Sequence, residues 1–468
     1  MNRRFQCRAI PSSWLENNGR RLDCGPYMSG AIEARELLKR HKTEPLKTLT
    51  AERNGGIFNG PRFPRVYVDD PAHGVPFLGS TDILDADLSN VSFLSKKQVD
   101  GNPALVIDEG WTLITCSGTI GRMAYARSDM KGMAGSQHFM RVAPDERKIT
   151  SGYLYAYLSS RFGVPIIVSG TYGAIIQHIE PHHIADLPVP RLGTAENQAH
   201  ALVQEAAGKR VEASRLIKDA VFDLSDQLGF EMAQHATLER PSISFQSSSL
   251  MLNRMDSFYF SSENIAARAA FDSACAIHGE SELGNVADVW IPGIFKRQYV
   301  DDPSFGVPYF TGKEIYELSP TTDLYLKMDV AQRYRLLLER GMILIQDSGQ
   351  ISGLIGRAVM VSSRLHGASC TNNMVRVMSS SETDTGFVFA LLSTEQGTRL
   401  LKREASGSSI PHLEANRIRK LIIPWPNEAI RTAIGRKILR AMSLRDEAAS
   451  AEDEARSLVE HTIEEGAR

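Results

Sequence analysis

Residues Tyr67–Phe77 read YVDDPAHGVPF and residues Tyr299–Tyr309 read YVDDPSFGVPY, a shift of 232 positions (67 to 299) in a chain of 468. A period close to half the chain indicates two duplicated domains, since solenoid units run to only about 20–50 residues. The correspondence extends along the chain. GWTLITCSG (Gly110–Gly118) pairs with GMILIQDSG (Gly341–Gly349), Met140-Arg141-Val142 with Val375-Arg376-Val377, and LPVP (Leu187–Pro190) with LIIP (Leu421–Pro424). Arg21, Asp23 and Tyr27 repeat more faintly as Arg254, Asp256 and Tyr259.

Within each copy the pattern is one of short strands, glycine-bracketed loops and one good helix. In the first copy Gly30–Lys42 reads as a helix, Asn54–Pro64 as loop, and Val75–Leu78 as a strand after a turn at Asp70-Pro71. Leu105–Ile107, Thr112–Thr115 and Phe139–Val142 read as further strands, Gly152–Arg161 as the helix, and Gly170–Gly173 as a loop before Ala174–Ile176. This predicts an α+β fold dominated by sheet.

After Pro190 the texture changes. Leu202, Ala206, Ala213, Ile217, Ala220, Leu224 and Leu228 recur at three-, four- and seven-residue steps in a stretch without proline. A helix of about 34 residues would be about 50 Å long, too long to be buried in one small domain. The second copy ends alike, with Asn427 as cap and Ile430, Ile434, Ile438, Met442, Ala449, Leu458 and Ile463 on one face. Two such helices can bury their stripes against one another as an antiparallel coiled coil. The expected domains are a lead-in (1–20), a first α+β domain (21–192), a long helix (193–232), a second α+β domain (233–425) and a second long helix (426–468).

Composition sets bounds. A formal net charge of −2 argues against indiscriminate polyanion binding, and 42% hydrophobic residues suffice for two cores. Five scattered cysteines with no CxxC pair point to a reducing, cytoplasmic compartment, and no apolar run is long enough for a bilayer. Enzymatic patterns fail. Asp69-Asp70 and Asp301-Asp302 precede prolines in turns, where aspartate is the default residue. His178, His182 and His183 lack a matching ligand set, so no metal site is expected, and Ser117 is not in a GxSxG elbow. Neither a nucleotide phosphate loop nor a methyltransferase-like Asn-Pro-Pro-Tyr site is present.

Domain, long helix, domain, long helix, with the RLD…Y entry, the Ser-Gly turns (Ser117-Gly118, Ser348-Gly349), the late glycine or serine loops (Gly170–Gly173, Ser406–Ser409) and the LPVP exit into Glu196 and Gln198, resembles the specificity subunit of type I restriction–modification enzymes. The second helix start, Pro426-Asn427-Glu428, departs from the Glu–Gln pattern. The resemblance implies two target-recognition domains on double-stranded DNA. It also implies no catalysis and no cofactor in this chain, with S-adenosylmethionine held by two partner adenine methyltransferase subunits. A restriction translocase is a further partner, or the chain serves another phage-defence complex that has no such motor; a two-domain protein-binding scaffold is the rival from another class.

Side chains near the glycine loops are suited to base edges: Thr119, Gln137, His138, Tyr172 and Gln177 in the first copy, and Gln350, Asn372, Asn373, Ser408 and Ser409 in the second. Lys96, Lys97, Arg122, Arg127, Lys131, Lys313, Arg357, Arg364, Lys402 and Arg403, with Arg62 and Arg65, are candidates for phosphate contacts. Arg141 and Arg376 recur in both copies, so they are expected to serve the fold or a phosphate rather than sequence readout.

Overall fold

The computed structural model describes residues 7–17, 22, 24–170, 178–230, 245, 247–252, 254–407 and 409–466. The chain forms two compact units. Unit 1 comprises Met1–Val211 and Glu447–Arg468, and unit 2 comprises Glu212–Asp446.

Among the described residues, the strands of unit 1 are β1 (Thr43–Pro45), β2 (Ile57–Asn59), β3 (Tyr67–Val68), β4 (Gly74–Leu78), β5 (Phe93–Ser95), β6 (Thr112–Thr115), β7 (Met123–Tyr125), β8 (Ala134–Gly135), β9 (Phe139–Val142) and β10 (Pro188–Pro190). They form sheets in the orders β2-β9-β6-β7 and β3-β5-β4-β8, with β1 paired to β10. Unit 2 contains β11 (Glu280–Glu282), β12 (Asp288–Trp290), β13 (Tyr299–Val300), β14 (Gly306–Phe310), β15 (Tyr325–Lys327), β16 (Ile343–Gln346), β17 (Ala358–Met360), β18 (Ser369–Cys370), β19 (Met374–Met378) and β20 (Ile422–Pro424). Its orders are β12-β19-β16-β17 and β13-β15-β14-β18, with β11 paired to β20. Strand for strand, the topology repeats.

The repeated YVDDP segment is a structural device. Asp70 accepts a hydrogen bond from the Ala72 amide at 2.9 Å, and Asp302 does the same for Ser304. Each closes a turn whose proline presets φ. The chain then returns so that β3 and β4 both pair with β5. Gly74 is required here, because a Cβ would lie 2.5 Å from the Cβ of Phe93; at Gly306 it would lie 2.5 Å from Val300 Cγ2. The paired aspartates therefore belong to a turn.

Two sequence expectations need correction. Asn54–Pro64 is not all loop, since Ile57–Asn59 forms β2 on the edge of the main sheet, paired with β9. Leu105–Ile107 is not a strand: Pro103 opens a 3-10 turn through Leu105, and Val106 makes only an isolated bridge to Ala134. Helices occur at Ala31–Leu38, inside the expected span, and at Ser151–Leu158, which starts one residue before the expected Gly152 and ends three before Arg161. Arg21, Asp23 and Ala174–Ile176, the segment after the expected glycine loop, lie outside the described residues.

The long helices run Thr194–Gln227 and Glu428–Glu465. Asn427 caps the second, accepting from the Ile430 amide at 3.1 Å. At the start of the first, Glu196 accepts from the Leu192 amide at 2.7 Å and pairs with Arg191. In unit 1, Ala199 and Val203 share a core with Ala455 and Val459, while Ala206 packs on Ala448 and Ala451. In unit 2, Ala213 packs on Ala441 and Leu444, and Asp223 pairs with Lys437. In each unit, rising numbers on one helix meet falling numbers on the other, so the segments are antiparallel. The fold is α+β, with two repeated sheet-bearing units and two long packed helices.

Candidate nucleic-acid interface

In each unit the two four-stranded sheets meet at one short loop, residues 135–138 in unit 1 and 371–373 in unit 2. β4 holds its leading end, with Phe77 opposite Ala134 and Leu78 opposite Gly135, and the Ser136 amide donating to the Leu78 carbonyl at 2.9 Å. In unit 2, Tyr309 and Phe310 of β14 stand opposite Ser369 and Cys370, and the Thr371 amide donates to the Phe310 carbonyl at 3.1 Å. The repeated segment thus fixes where this loop begins.

A buried arginine fixes the rest. Arg141 is wholly buried, and its guanidinium donates to the carbonyls of Gly135 (2.7 Å), Ser136 (3.2 Å), Phe139 (3.2 Å) and Leu105 (3.3 Å). Arg376 is likewise wholly buried and donates to Met374 O (3.1 Å), Thr371 O (3.5 Å) and Cys370 Sγ (3.3 Å). In both, the Nε finds no partner among the described residues. Burial lowers the Arg141 pKa to about 10, which leaves it charged at neutral pH. The expectation for these two arginines resolves to the fold. They staple the loop through its carbonyls.

The loop carries Gln137 and His138 in unit 1, and Asn372 and Asn373 in unit 2. Behind it, the end of the central strand bridges to the last loop of the unit, Ser117 to His178 and Ser348 to His412. In unit 1 these residues line a cleft of about 300 Å³ with Asn59, Gly60, Arg62, Cys116 and Glu180. A directed chain of hydrogen bonds crosses it. Arg65 donates to Gln137 Oε1 at 2.7 Å, so the Gln137 amide nitrogen faces His138 Nε2 at 3.1 Å and donates to it. His138 Nδ1–H then donates to Ser117 Oγ at 2.8 Å. Burial lowers the His138 pKa, and Arg65 and Arg62 lower it further, so the ring is neutral, as the chain requires. Because the chain runs from the arginine outward, the Ser117 hydroxyl hydrogen is left to donate away from His138.

Cys116, beside this chain, corresponds to Asp347 in unit 2. Burial, reinforced by Glu180, raises the Cys116 thiol to about 11, so it stays protonated. Asp347 is 6% exposed, has an Oδ1 without a partner among the described residues, and sits 3.9 Å from His412 Nδ1. Burial raises its pKa.

These contacts oppose a hydrolase reading. The imidazole donates to Ser117, so it cannot take the hydroxyl proton as a base. In unit 2 the framework recurs with Asn373 where unit 1 has His138. Among the described residues no His, Cys, Asp and Glu cluster could hold a metal ion, and no helix is long and apolar enough to cross a membrane. His183 Nδ1 accepts from the Glu180 amide at 2.9 Å, a capping contact.

The other candidates distribute unevenly. Thr119 and Gln350 are exposed on equivalent turns after the Ser-Gly pair, Asn373 and Ser409 are exposed, and Asn372 is half-buried. Tyr172, Gln177 and Ser408 lie outside the described residues. Lys96, Lys97 and Lys313 are exposed; Lys131 is exposed and 3.2 Å from Asp108. Arg122 and Arg364 are half-exposed, and the Arg357 guanidinium lies 4.7 Å from the Tyr316 ring. Two phosphate candidates are placed elsewhere. Arg127 is 2% exposed and bound to Asp129 at 3.0 Å. Arg403 packs 3.7 Å from the Tyr259 ring, with Arg254 at 4.4 Å from the same ring and donating to the Arg403 and Ala405 carbonyls. Both side chains are used up in packing. Lys402 is half-buried, and that burial lowers its pKa.

Sequence reasoning missed the Arg65–Gln137 contact and the place of Asn59 and Arg62 in the cleft. The only signal was that Arg65 and Arg297 are kept at the 232-residue shift.

No family model matches the chain, and no curated protein does. Solved structures similar to it include the type I restriction–modification S subunit from M. genitalium (13% identity, 90% of this chain and 93% of that one, TM-score 0.31). The HsdS subunit from Thermoanaerobacter tengcongensis is also similar (13% identity, 91% and 96%, TM-score 0.27). At these values the overlays are too loose to transfer any residue or role.

Proposed function

We propose that this chain is a non-catalytic specificity subunit that reads a bipartite sequence in double-stranded DNA and directs a partner adenine methyltransferase to it. One observation carries the reading. Two units share the same strand order, the same arginine-stapled loop and the same serine–histidine bridge, yet present different polar side chains at equivalent points. Gln137 and His138 face Asn372 and Asn373 across the repeat, and Cys116 faces Asp347. A duplicated scaffold with diverged polar loops suits the reading of two unlike base sequences, because amide, imidazole and hydroxyl groups discriminate base edges. Exposed Lys96, Lys97 and Lys313 are available for phosphates. The long helices are a surface for two methyltransferase subunits, which supply the S-adenosylmethionine; a restriction translocase joins the same assembly in systems that have one.

The test is methylome sequencing of cells carrying this chain with its partner. A methylated motif with two specified halves and an unread spacer supports the reading; no sequence-dependent methylation sinks it. A protein-binding scaffold is separated by salt, since binding through several phosphates falls steeply with salt whereas apolar protein contacts hardly respond.

A further inference from the structure

The segment that ends the first strand of each main sheet and follows it differs between the units, NGPR (59–62) against IPGI (291–294). In register, Phe58 stands opposite Arg141 and Trp290 opposite Arg376, which makes Asn59 equivalent to Ile291 and Arg62 to Ile294. The next residue is phenylalanine in both copies, Phe63 and Phe295, and two further on both carry arginine. Arg65 lies 4.9 Å from the Phe77 ring, and Arg297 donates to the Tyr309 hydroxyl at 3.0 Å. In unit 1 the segment runs against the stapled loop. A Cβ on Gly60 would lie 3.1 Å from the Gly135 carbonyl and 3.3 Å from the Arg141 guanidinium. Arg62 then lines the cleft with Ser117, Gln137 and His138. In unit 2, Ile294 is 90% exposed, and a Cβ on neighbouring Gly293 would meet nothing within 4 Å. The framework is constant, and one outward-facing position is changed from a forked cation to a branched hydrocarbon.

We propose that Arg62 and Ile294 are an equivalent pair of specificity-determining positions, Arg62 donating to a guanine edge in one half of the target and Ile294 packing on a thymine 5-methyl group in the other. The proposal rests on the DNA-reading function above. Arginine forks onto guanine O6 and N7, and an apolar side chain in the major groove is best satisfied by the thymine methyl. The sequence alone groups Arg62 with the phosphate contacts; its place beside the stapled loop, and the loss of charge at the equivalent position, argue for base readout.

The experiment is selection of bound duplexes from a randomised library by the full-length chain and by the variants Arg62→Lys, Arg62→Ala, Ile294→Ala and Ile294→Arg. Arg62→Lys keeps the charge but loses the fork. It should reduce preference at a single base position by roughly fivefold to a hundredfold while leaving non-selective binding and its salt slope unchanged. Ile294→Ala should relax one position in the other half, and Ile294→Arg should replace that preference. If Arg62→Lys matches the parent and Arg62→Ala weakens all sequences equally, Arg62 holds a phosphate and the proposal fails. Unchanged base preferences in both Ile294 variants would overturn it equally. A parent chain with no preference in either half would remove the DNA-reading function and this pair with it.

Discussion

Arg210 and Glu452 form a buried ion pair between the segments of the two long helices that lie in unit 1, their charged groups 2.8 Å apart and both side chains at most 6% exposed. They stand where a hydrophobic seam is expected. Ala199, Val203, Ala206, Arg210 and Ala213 alternate four- and three-residue steps, all buried. Tyr155 donates to Glu452 at 3.1 Å, and Arg456 lies 3.6 Å away. A polar pair in such a seam fixes which residues face each other, at some expense in stability.

Glu452→Gln should therefore destabilise the chain by about 3–5 kcal/mol, because it strands Arg210 without a counter-charge. The double variant Arg210→Met, Glu452→Leu should recover most of that loss. Burial opposes the Glu452 charge, but Arg210 and Arg456 outweigh it and hold the pKa down to about 2. The folded value lies below the unfolded value of about 4.3, so the carboxylate's contribution is complete above about pH 4.3 and is lost as pH falls toward 2. Urea midpoints for both proteins between pH 7 and pH 3 check this. An acid-independent difference between them would contradict the pairing.

His138→Ala and Asn373→Ala test whether the units read separately. Each should relax one half of the target by about tenfold to a hundredfold and spare the other. Lys97→Ala should instead weaken all sequences about equally and flatten the salt dependence. If both loop variants behave like Lys97→Ala in a library selection, these loops hold only the backbone.

Asp347→Asn should stabilise unit 2 near neutral pH. The carboxyl is buried, one oxygen has no partner among the described residues, and its pKa is raised. A raised acid pKa means the folded state prefers the proton, so stability falls as pH rises through the unfolded value of about 3.9 toward the folded one. The asparagine variant escapes that loss. Its advantage, about 1 kcal/mol, should shrink as the pH approaches 4. A thermal midpoint lower than the parent's at pH 7 would show that the charge is satisfied by His412 after all.

Much of this was legible because the signals are local or duplicated. The YVDDP turn announces itself through Asp, Pro and Gly, whose backbone requirements are their own. The long helices carry a repeating stripe, and Thr194–Gln227 matches the expected length of about 34 residues. Arg210 was not legible. A lone charge in a stripe reads as a solvated position until its partner, 242 residues away, is known. Ile57–Asn59 was hidden because three residues between Gly56 and Gly60 show no alternation, and only its partner β9 makes it a strand. The cleft needed tertiary structure, since Asn59, Gln137 and Glu180 come from three separate segments.

Arg141 makes the sharpest remaining claim, because its guanidinium touches no base candidate and yet shapes the loop that bears two of them. Arg141→Met keeps the volume and removes four donated hydrogen bonds, leaving the buried carbonyls of Gly135, Ser136, Phe139 and Leu105 short of a partner. Each unsatisfied group costs about 1–3 kcal/mol, so the loop should reorganise to reach water rather than keep its form. Amide hydrogen exchange should rise at residues 135–139 and leave 371–374 of unit 2 protected. Library selection should lose preference in the half affected by His138→Ala while the other half stays sharp. Arg376→Met should give the mirror result. If Arg141→Met instead leaves exchange at 135–139 unchanged, the carbonyls were not held by the guanidinium, and the common staple is not what positions the two reading loops.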